Sequence, residues 1–154
     1  MPQPARVLGV ADARRLLRRV RTHRHPSRDT VIILLSFKAG LRACEIAGLD
    51  WSMVLRPDAT LGQQIAVANR IAKNGSGRII PLHRDLRGAL AKLHMEQSWP
   101  RAGPIIQSER GGHMTARSIV NWFAGLYAAL DSTAAPHILA AAPSSPVRPD
   151  CCPR

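Results

Sequence analysis

Residues 39–51 read AGLRACEIAGLDW and describe a tight turn between two helices. Gly40 is expected to end the preceding helix, because glycine adopts the left-handed conformation of a helix C-terminus at little cost. A second short helix is predicted from Ala43 to Leu49. The turn therefore places Arg42 beside a helix start, with Glu45 one turn further on.

This arrangement predicts a site that binds phosphate. The Glu45 carboxylate is expected to hold the Arg42 guanidinium through a bidentate pair of hydrogen bonds. A guanidinium oriented in this way binds two phosphate oxygens with its planar fork, and it stabilises the charge that builds on them during phosphoryl transfer. The alternative interpretation is an exposed ion pair of little energetic value at the start of the helix.

Residues 71–82 read IAKNGSGRIIPL and predict a β-hairpin. Apolar residues alternate along the first strand from Ile65 to Ile71, NGSG forms the turn, and the chain returns extended from Arg78. Lys73 lies at the entrance of the turn, where its ammonium group can contact a phosphate or act as a general acid. The alternative for Lys73 is a solvated turn lysine. Arg78 is expected to have a positioning role on the returning strand.

The rest of the chain up to residue 130 is predicted to be mainly helical. Asp29 is predicted to cap a buried helix over Thr30–Lys38, and Thr115 to cap a helix that runs to Leu130. Together with the hairpin, these helices predict an α+β fold that is mainly helical with a small antiparallel sheet. The other predicted elements are a short helix from Val10, a helix from Arg84, and an extended segment at Ile105 and Ile106.

The charge of the chain indicates a polyanionic partner. Its 154 residues include 22 Lys and Arg against 10 Asp and Glu, a formal net charge of +12. Neutralising phosphates releases condensed counterions, so nucleic acid is favoured over a membrane surface. Apolar runs such as Val31–Leu35 are too short to span a bilayer, and no signal-peptide pattern follows Met1, which predicts a soluble cytoplasmic protein. The three cysteines match neither a disulfide framework nor zinc-ligand spacing.

The motifs GLRxxEIxxLxW and KxGxGRxIPL occur here in order, and together they resemble the catalytic domain of the tyrosine recombinases, or phage-type integrases. The resemblance extends over about Val7 to Leu130 and implies the mainly helical fold of that domain. It also implies strand exchange on double-stranded DNA, without a cofactor, by tetramers assembled on paired sites. In that family a tyrosine forms a phosphotyrosyl link to DNA, while two arginines and a histidine stabilise the transition state.

Carried over to this sequence, the resemblance makes Arg42 the first catalytic arginine and Glu45 its supporting acid. Lys73 becomes the general acid that protonates the leaving 5′ oxygen. Arg42, Lys73 and Arg78 are the expected DNA contacts, and no metal ligands are expected.

The sequence departs from the family pattern after Leu130. No H-x-x-R box and no later tyrosine occur, since His137 is followed by ILA. One literal match, HPSR at residues 25–28, lies upstream of the first motif and is interpreted as coincidence. The only tyrosine, Tyr127, is predicted to be a core or interface residue. Re-reading the codons of residues 133–147 in another frame permits a string that contains HSGR, which suggests a frameshift.

Residues 1–130 are therefore predicted to form a partial recombinase catalytic domain, incomplete at its C-terminus, and residues 131–154 a disordered, Ala/Pro-rich tail that is out of frame. Apolar faces around Ile119 and Phe123 are expected to be uncovered. The function predicted at the family level is site-specific DNA recombination by strand breakage and rejoining, with this chain catalytically defective. The alternatives are a non-catalytic DNA-binding remnant of a recombinase and an unrelated basic RNA-binding protein.

Overall fold

A computed structural model describes residues 10–72 and 75–134 of the chain. Within these ranges the protein has an α+β structure with five α-helices and one two-stranded antiparallel sheet, as predicted. The elements in chain order are α1 (Val10–Val20), α2 (Pro26–Ala39), α3 (Ala43–Gly48), a 3₁₀ turn (Trp51–Met53), β1 (Gln64–Val67), β2 (Arg78–Pro81), α4 (Arg84–Glu96) and α5 (Ala116–Ala134).

Helix α2 lies at the centre of the fold. Five consecutive residues, Val31–Leu35, are buried because α1, α3 and α4 all pack against this helix. The helix begins at Pro26, earlier than predicted, since proline is preorganised for the first helical position. Asp29 is therefore not the N-cap; it lies inside the first turn and is buried. The helix ends as predicted at Gly40, whose φ of 65° is the left-handed conformation.

The β1–β2 hairpin is shorter than the alternation of apolar residues predicts. The two strands pair over their whole length, ending at Val67↔Arg78. Past Val67 the chain turns, and the N–H of Ile71 donates to the Ala68 carbonyl at 3.2 Å. Ile71 is therefore not part of the strand, contrary to the prediction. The side chains of Ile65 and Val67 form the buried face of β1.

Helix α5 is better covered by the rest of the protein than the sequence predicts. Ile119 is fully buried in the main core, and Leu126 is buried in a smaller cluster with residues of α1 and α2. The expectation of an uncovered face is therefore wrong at Ile119. Phe123 is partly buried, with ring centroids 5.0 Å from Trp122 and 5.8 Å from Tyr127. Tyr127 thus packs in the protein as predicted.

The loop between α4 and α5 fixes the end of α3. The predicted extended segment begins here with Ile105, whose N–H donates to the Leu49 carbonyl at 3.1 Å. His113 contributes a second link, since its Nδ1 lies 2.9 Å from the Ala47 carbonyl oxygen. The loop forms isolated bridges to its neighbours and is assigned to neither strand of the sheet. These contacts hold α3 in place and with it the residue that precedes α3.

Two predictions fall on residues that the structure does not describe. Helix α5 continues past Leu130 to Ala134, so the predicted tail does not start at residue 131. Residues 135–154, which include His137, lie outside the described ranges, as do Lys73 and Asn74. Among the helices of residues 10–72 and 75–134, none is long and apolar enough to cross a bilayer.

Candidate functional site

Arg42 precedes α3 with an extended backbone, at φ −81° and ψ 161°. Its N–H donates a hydrogen bond to Glu45 Oε2 at 2.9 Å, which satisfies one of the donors at the start of the helix. Its side chain is exposed, and within residues 10–72 and 75–134 no group accepts a hydrogen bond from its guanidinium. Arg42 therefore has a fixed backbone and a cationic side chain that is open to solvent.

Glu45 pairs with a different arginine from the one that the sequence predicts. Its carboxylate, only 1% exposed, accepts two hydrogen bonds from Arg78, at 2.6 Å from Nη1 to Oε1 and 3.0 Å from Nη2 to Oε2. The predicted pair with the Arg42 guanidinium is wrong. A glutamate at the third helical position reaches back to the backbone N–H before the helix, so Glu45 contacts Arg42 through the main chain.

Strand β2 brings Arg78 to this carboxylate. Arg78 is the first residue of β2, and its pairing with Val67 places it next to the start of α3. A positioning role was predicted for Arg78, and the structure places its guanidinium on the Glu45 carboxylate. The Arg78 side chain is 42% exposed, so its outer edge remains available to a ligand as well.

The charges of this cluster are unevenly balanced. Burial alone raises the pKa of Glu45, but the hydrogen bonds from Arg78 and from the Arg42 N–H, with the charges of both arginines, bring it below its usual value. The hydrogen bond to Glu45 raises the pKa of Arg78. The Glu45–Arg78 pair is therefore ionised at neutral pH. The Glu45 carboxylate is paired with Arg78, which leaves the exposed positive charge of Arg42 without an acidic partner among the described residues.

The hairpin that carries Lys73 is anchored on both sides of its tip. Lys73 itself lies outside the described residues, so its predicted role is not placed in the site. After the tip, the N–H of Gly77 donates to Asn69 Oδ1 at 2.8 Å. A Cβ atom at Gly77 would lie 2.6 Å from the Val67 carbonyl oxygen, so this second glycine of KxGxGR is required for the close return of the chain.

The upstream HPSR sequence belongs to a structural network. Arg28 donates to the buried Asp29 carboxylate from Nε at 3.0 Å and to the Gln107 carbonyl from Nη1 at 3.2 Å. His23 Nδ1 lies 2.8 Å from the other oxygen of Asp29. Arg28 is therefore engaged within the protein, and the interpretation of this motif as coincidence stays a prediction.

Two further polar residues, His83 and Thr115, cap helices. His83 caps α4, since its Nδ1 accepts a hydrogen bond from the Asp85 N–H at 3.1 Å. Thr115 caps α5 as predicted, accepting from the Ser118 N–H at 3.1 Å. Across the described part of the chain, no three His, Cys, Asp or Glu side chains come together in a way that would hold a metal ion.

The Glu45–Arg78 pair is the feature that the sequence analysis missed. One signal for it was present: Glu45 stands between Cys44 and Ile46 in a helix that buries its neighbours. A carboxylate in such a place needs a cationic partner from elsewhere in the chain, because a buried charge without one is strongly destabilising.

Comparisons with known proteins leave the function to be argued from this geometry. No protein-family model, no curated protein and no solved structure matches the chain. The functional evidence is therefore the geometry itself, in which Arg42 is exposed and the buried Glu45 carboxylate is paired with Arg78.

Proposed function

We propose that the protein binds a phosphate of double-stranded DNA at Arg42, within a catalytic domain of the tyrosine recombinase type. The role of such a domain is site-specific recombination by DNA strand breakage and rejoining. The observation that carries the proposal is that Arg42 is held at its backbone by Glu45 while its guanidinium is exposed and bonded to no described residue. The two motifs that surround Arg42 and Arg78 support the link to that family.

The charge distribution favours an anionic ligand at this place. Arg78 satisfies the Glu45 carboxylate, so Arg42 does not compete for it and its planar fork is available for two phosphate oxygens. The net charge of +12 adds a long-range attraction for a polyanion. In the reaction of that family a tyrosine oxygen attacks the scissile phosphorus and the bond to the 5′ oxygen breaks. Arg42 would stabilise the charge on the phosphate in that step, and Lys73 would protonate the leaving 5′ oxygen.

We further propose that this chain binds DNA without forming a covalent link to it. Tyr127 is partly buried, and burial raises the pKa of its phenol. A neutral phenol packed against Phe123, with ring centroids 5.8 Å apart, is poorly placed to attack a phosphate. These contacts favour the alternative of a non-catalytic DNA-binding protein for the molecule itself.

Arg42→Ala is expected to weaken binding to a labelled DNA duplex by about tenfold, the loss typical of one charge-assisted phosphate contact. Fluorescence anisotropy at several salt concentrations measures this. The slope of log K against log salt should fall by about 0.9. Arg42→Lys should keep that slope but recover only part of the affinity, because lysine lacks the planar fork.

Arg18→Ala is the matched control for Arg42. Arg18 is also exposed, on α1, and its loss removes the same charge. An equal loss of affinity in Arg18→Ala and Arg42→Ala would contradict a specific phosphate site. It would favour a general electrostatic attraction, which is also what an unrelated basic RNA-binding protein predicts.

A nicked suicide duplex tests for covalent chemistry. Incubated with a pool of nicked duplexes of random sequence, the protein is expected to give no protein–DNA adduct in a denaturing gel. An adduct that forms with the protein and is lost in Tyr127→Phe would show that Tyr127 is a nucleophile. The proposal of a non-catalytic DNA-binding protein would then be wrong.

A further inference from the structure

Three arginines line an open cleft between the turn that follows the 3₁₀ segment and the first turns of α4. The cleft has a volume of about 750 Å³, and Leu61 and Leu82 contribute apolar surface to its lining. Its three cationic side chains are those of Arg56, Arg84 and Arg87. Such a lining, cationic with apolar patches, suits a ligand that alternates charged phosphates with less polar sugars.

The guanidinium groups of this cleft are not used to hold the fold together. All three arginines are exposed, and no acidic side chain in residues 10–72 and 75–134 forms an ion pair with any of them. No acidic residue lines the cleft. Asp58, the acidic residue nearest to Arg56 in sequence, accepts hydrogen bonds from the N–H and hydroxyl of Thr60, at 3.1 and 2.6 Å.

Ordered backbone holds each arginine at the cleft. Arg56 begins a closed turn, in which its N–H donates to the Thr60 carbonyl at 2.8 Å. Arg84 and Arg87 lie three residues apart in the first turns of α4, so they share one face of the helix. Three like charges brought together in this way repel one another, and a bound anion removes that repulsion.

The basic surface is larger than a single phosphate group requires. Arg56 also lines a neighbouring cleft of about 330 Å³, which adds Arg101. Arg84 follows Arg78 by six residues, so their Cα atoms lie within about 20 Å of each other at the rise of an extended chain. A nucleic-acid strand advances about 3.4 Å per nucleotide, so about six nucleotides cover that distance.

We propose that this cleft binds the sugar–phosphate backbone of duplex DNA at a second place, separate from the phosphate at Arg42. That this sugar–phosphate backbone is the one of duplex DNA rests on the proposed function. The affinity for phosphodiesters rests on Arg56, Arg84 and Arg87 alone. Several cations in open, adjoining clefts fit a repeating polyanion better than a single small anion, which is bound best where donors surround it.

Gly88 provides a sharp test, because it lines the cleft and a Cβ atom built there has nothing within 4 Å apart from its chain neighbours and the backbone of its own helix. Side chains added at this helical position are therefore tolerated, and each also improves helix propensity. Gly88→Glu is expected to weaken binding of a labelled 20-base-pair duplex by about tenfold relative to Gly88→Ala, because it places a carboxylate among the arginines. Gly88→Lys is expected to tighten it by a few fold.

A triple variant measures the same site by loss of charge. Replacing Arg56, Arg84 and Arg87 with alanine should lower the slope of log K against log salt by about two to three units, close to 0.9 for each lost phosphate contact. Thermal unfolding of every variant is the control, and the fold is expected to be retained because none of these side chains forms an ion pair with a described residue.

The outcomes separate this inference from the proposed function. Equal binding by Gly88→Glu, Gly88→Ala and Gly88→Lys would overturn the cleft as a DNA contact, even if Arg42→Ala still weakens binding. If Arg42→Ala binds the duplex as tightly as the unsubstituted protein while Gly88→Glu still weakens binding, the proposed function is wrong and the cleft is still a DNA contact. Displacement of the duplex by micromolar pyrophosphate at constant ionic strength would assign the cleft to a small anion, and so contradict the proposal.

Discussion

Trp51→Ala is expected to lower the free energy of unfolding by about 3–5 kcal/mol, the range for removing a large aromatic side chain from a core. Trp51 is completely buried, and its indole Nε1 donates to Gln97 Oε1 at 2.8 Å. Gln97 in turn donates to the Ile105 carbonyl at 3.0 Å. The substitution therefore leaves a cavity and also removes the closer of two donors to the Gln97 amide oxygen, to which Gln107 Nε2 donates at 3.5 Å.

The position of Trp51 connects this stability to the candidate site. Its ring lies 4.6 Å from that of His94 in α4, and its backbone N–H donates to the Gly103 carbonyl at 3.0 Å. The Trp51 side chain thus joins the segment after α3 to the end of α4, and its backbone joins the same segment to the loop that fixes α3. Loss of the side-chain contacts is expected to loosen the helix start that holds Arg42.

Urea unfolding followed by far-ultraviolet circular dichroism measures the effect of Trp51→Ala. Trp99→Ala is the matched control, because Trp99 is 64% exposed and its removal is expected to change the unfolding free energy by less than about 0.5 kcal/mol. Similar losses in the two variants would show that the core around Trp51 does not have the packing described above.

Features set by neighbouring residues were predictable from the sequence. The left-handed Gly40, the start of α3 at Ala43, the start of α4 at Arg84 and the cap at Thr115 all depend on contacts within a few residues. The hairpin was also predictable, since a glycine-rich turn between two apolar runs is a local signal.

Features set by distant residues were not predictable in the same way. Asp29 has the residue type and position of an N-cap, but His23 and Arg28 hold its carboxylate inside the first turn of α2. The partner of Glu45 is 33 residues away, on a strand whose register becomes known only with the fold. In both cases the sequence predicts that a carboxylate has a partner but does not identify which cation it meets.

The candidate site was therefore only partly predictable. The sequence singled out Arg42, Glu45 and Arg78, but it paired Glu45 with Arg42 and did not predict that Arg78 meets this carboxylate. The motif is consistent with either pairing, because both arginines lie near the start of α3. The role of Lys73 stays a prediction, because this residue lies outside the described ranges.

Arg78→Ala is expected to destabilise the protein at pH 7 by about 2–3 kcal/mol. Removing one partner of a buried ion pair typically costs more, about 3–5 kcal/mol, but Arg78 is 42% exposed and water will replace part of its interaction. The remaining cost arises because Glu45, 1% exposed, keeps only the hydrogen bond from the Arg42 N–H. Urea unfolding at pH 7 provides the measurement.

Arg42→Ala is the control for this prediction, and the comparison separates the two arginines. The Arg42 guanidinium contacts no described acceptor, so its loss should change the unfolding free energy by less than about 0.5 kcal/mol. Arg42 is therefore expected to affect DNA binding and Arg78 to affect mainly stability. Equal destabilisation by the two substitutions would contradict the assignment of Glu45 to Arg78.

The pH dependence of Arg78→Ala tests the same ion pair independently. The folded protein lowers the pKa of Glu45 from its ordinary value of 4.5, so the pair contributes stability above that pH and loses it as the pH falls through the folded pKa. In Arg78→Ala the Arg78 hydrogen bonds and charge that offset burial are lost, so the Glu45 pKa should rise. Acid then protonates the buried carboxylate and removes its charge. The difference in unfolding free energy between the two proteins is therefore expected to shrink from pH 7 to pH 4. A constant difference would show that Arg78 stabilises the fold by packing of its side chain and not by pairing with Glu45.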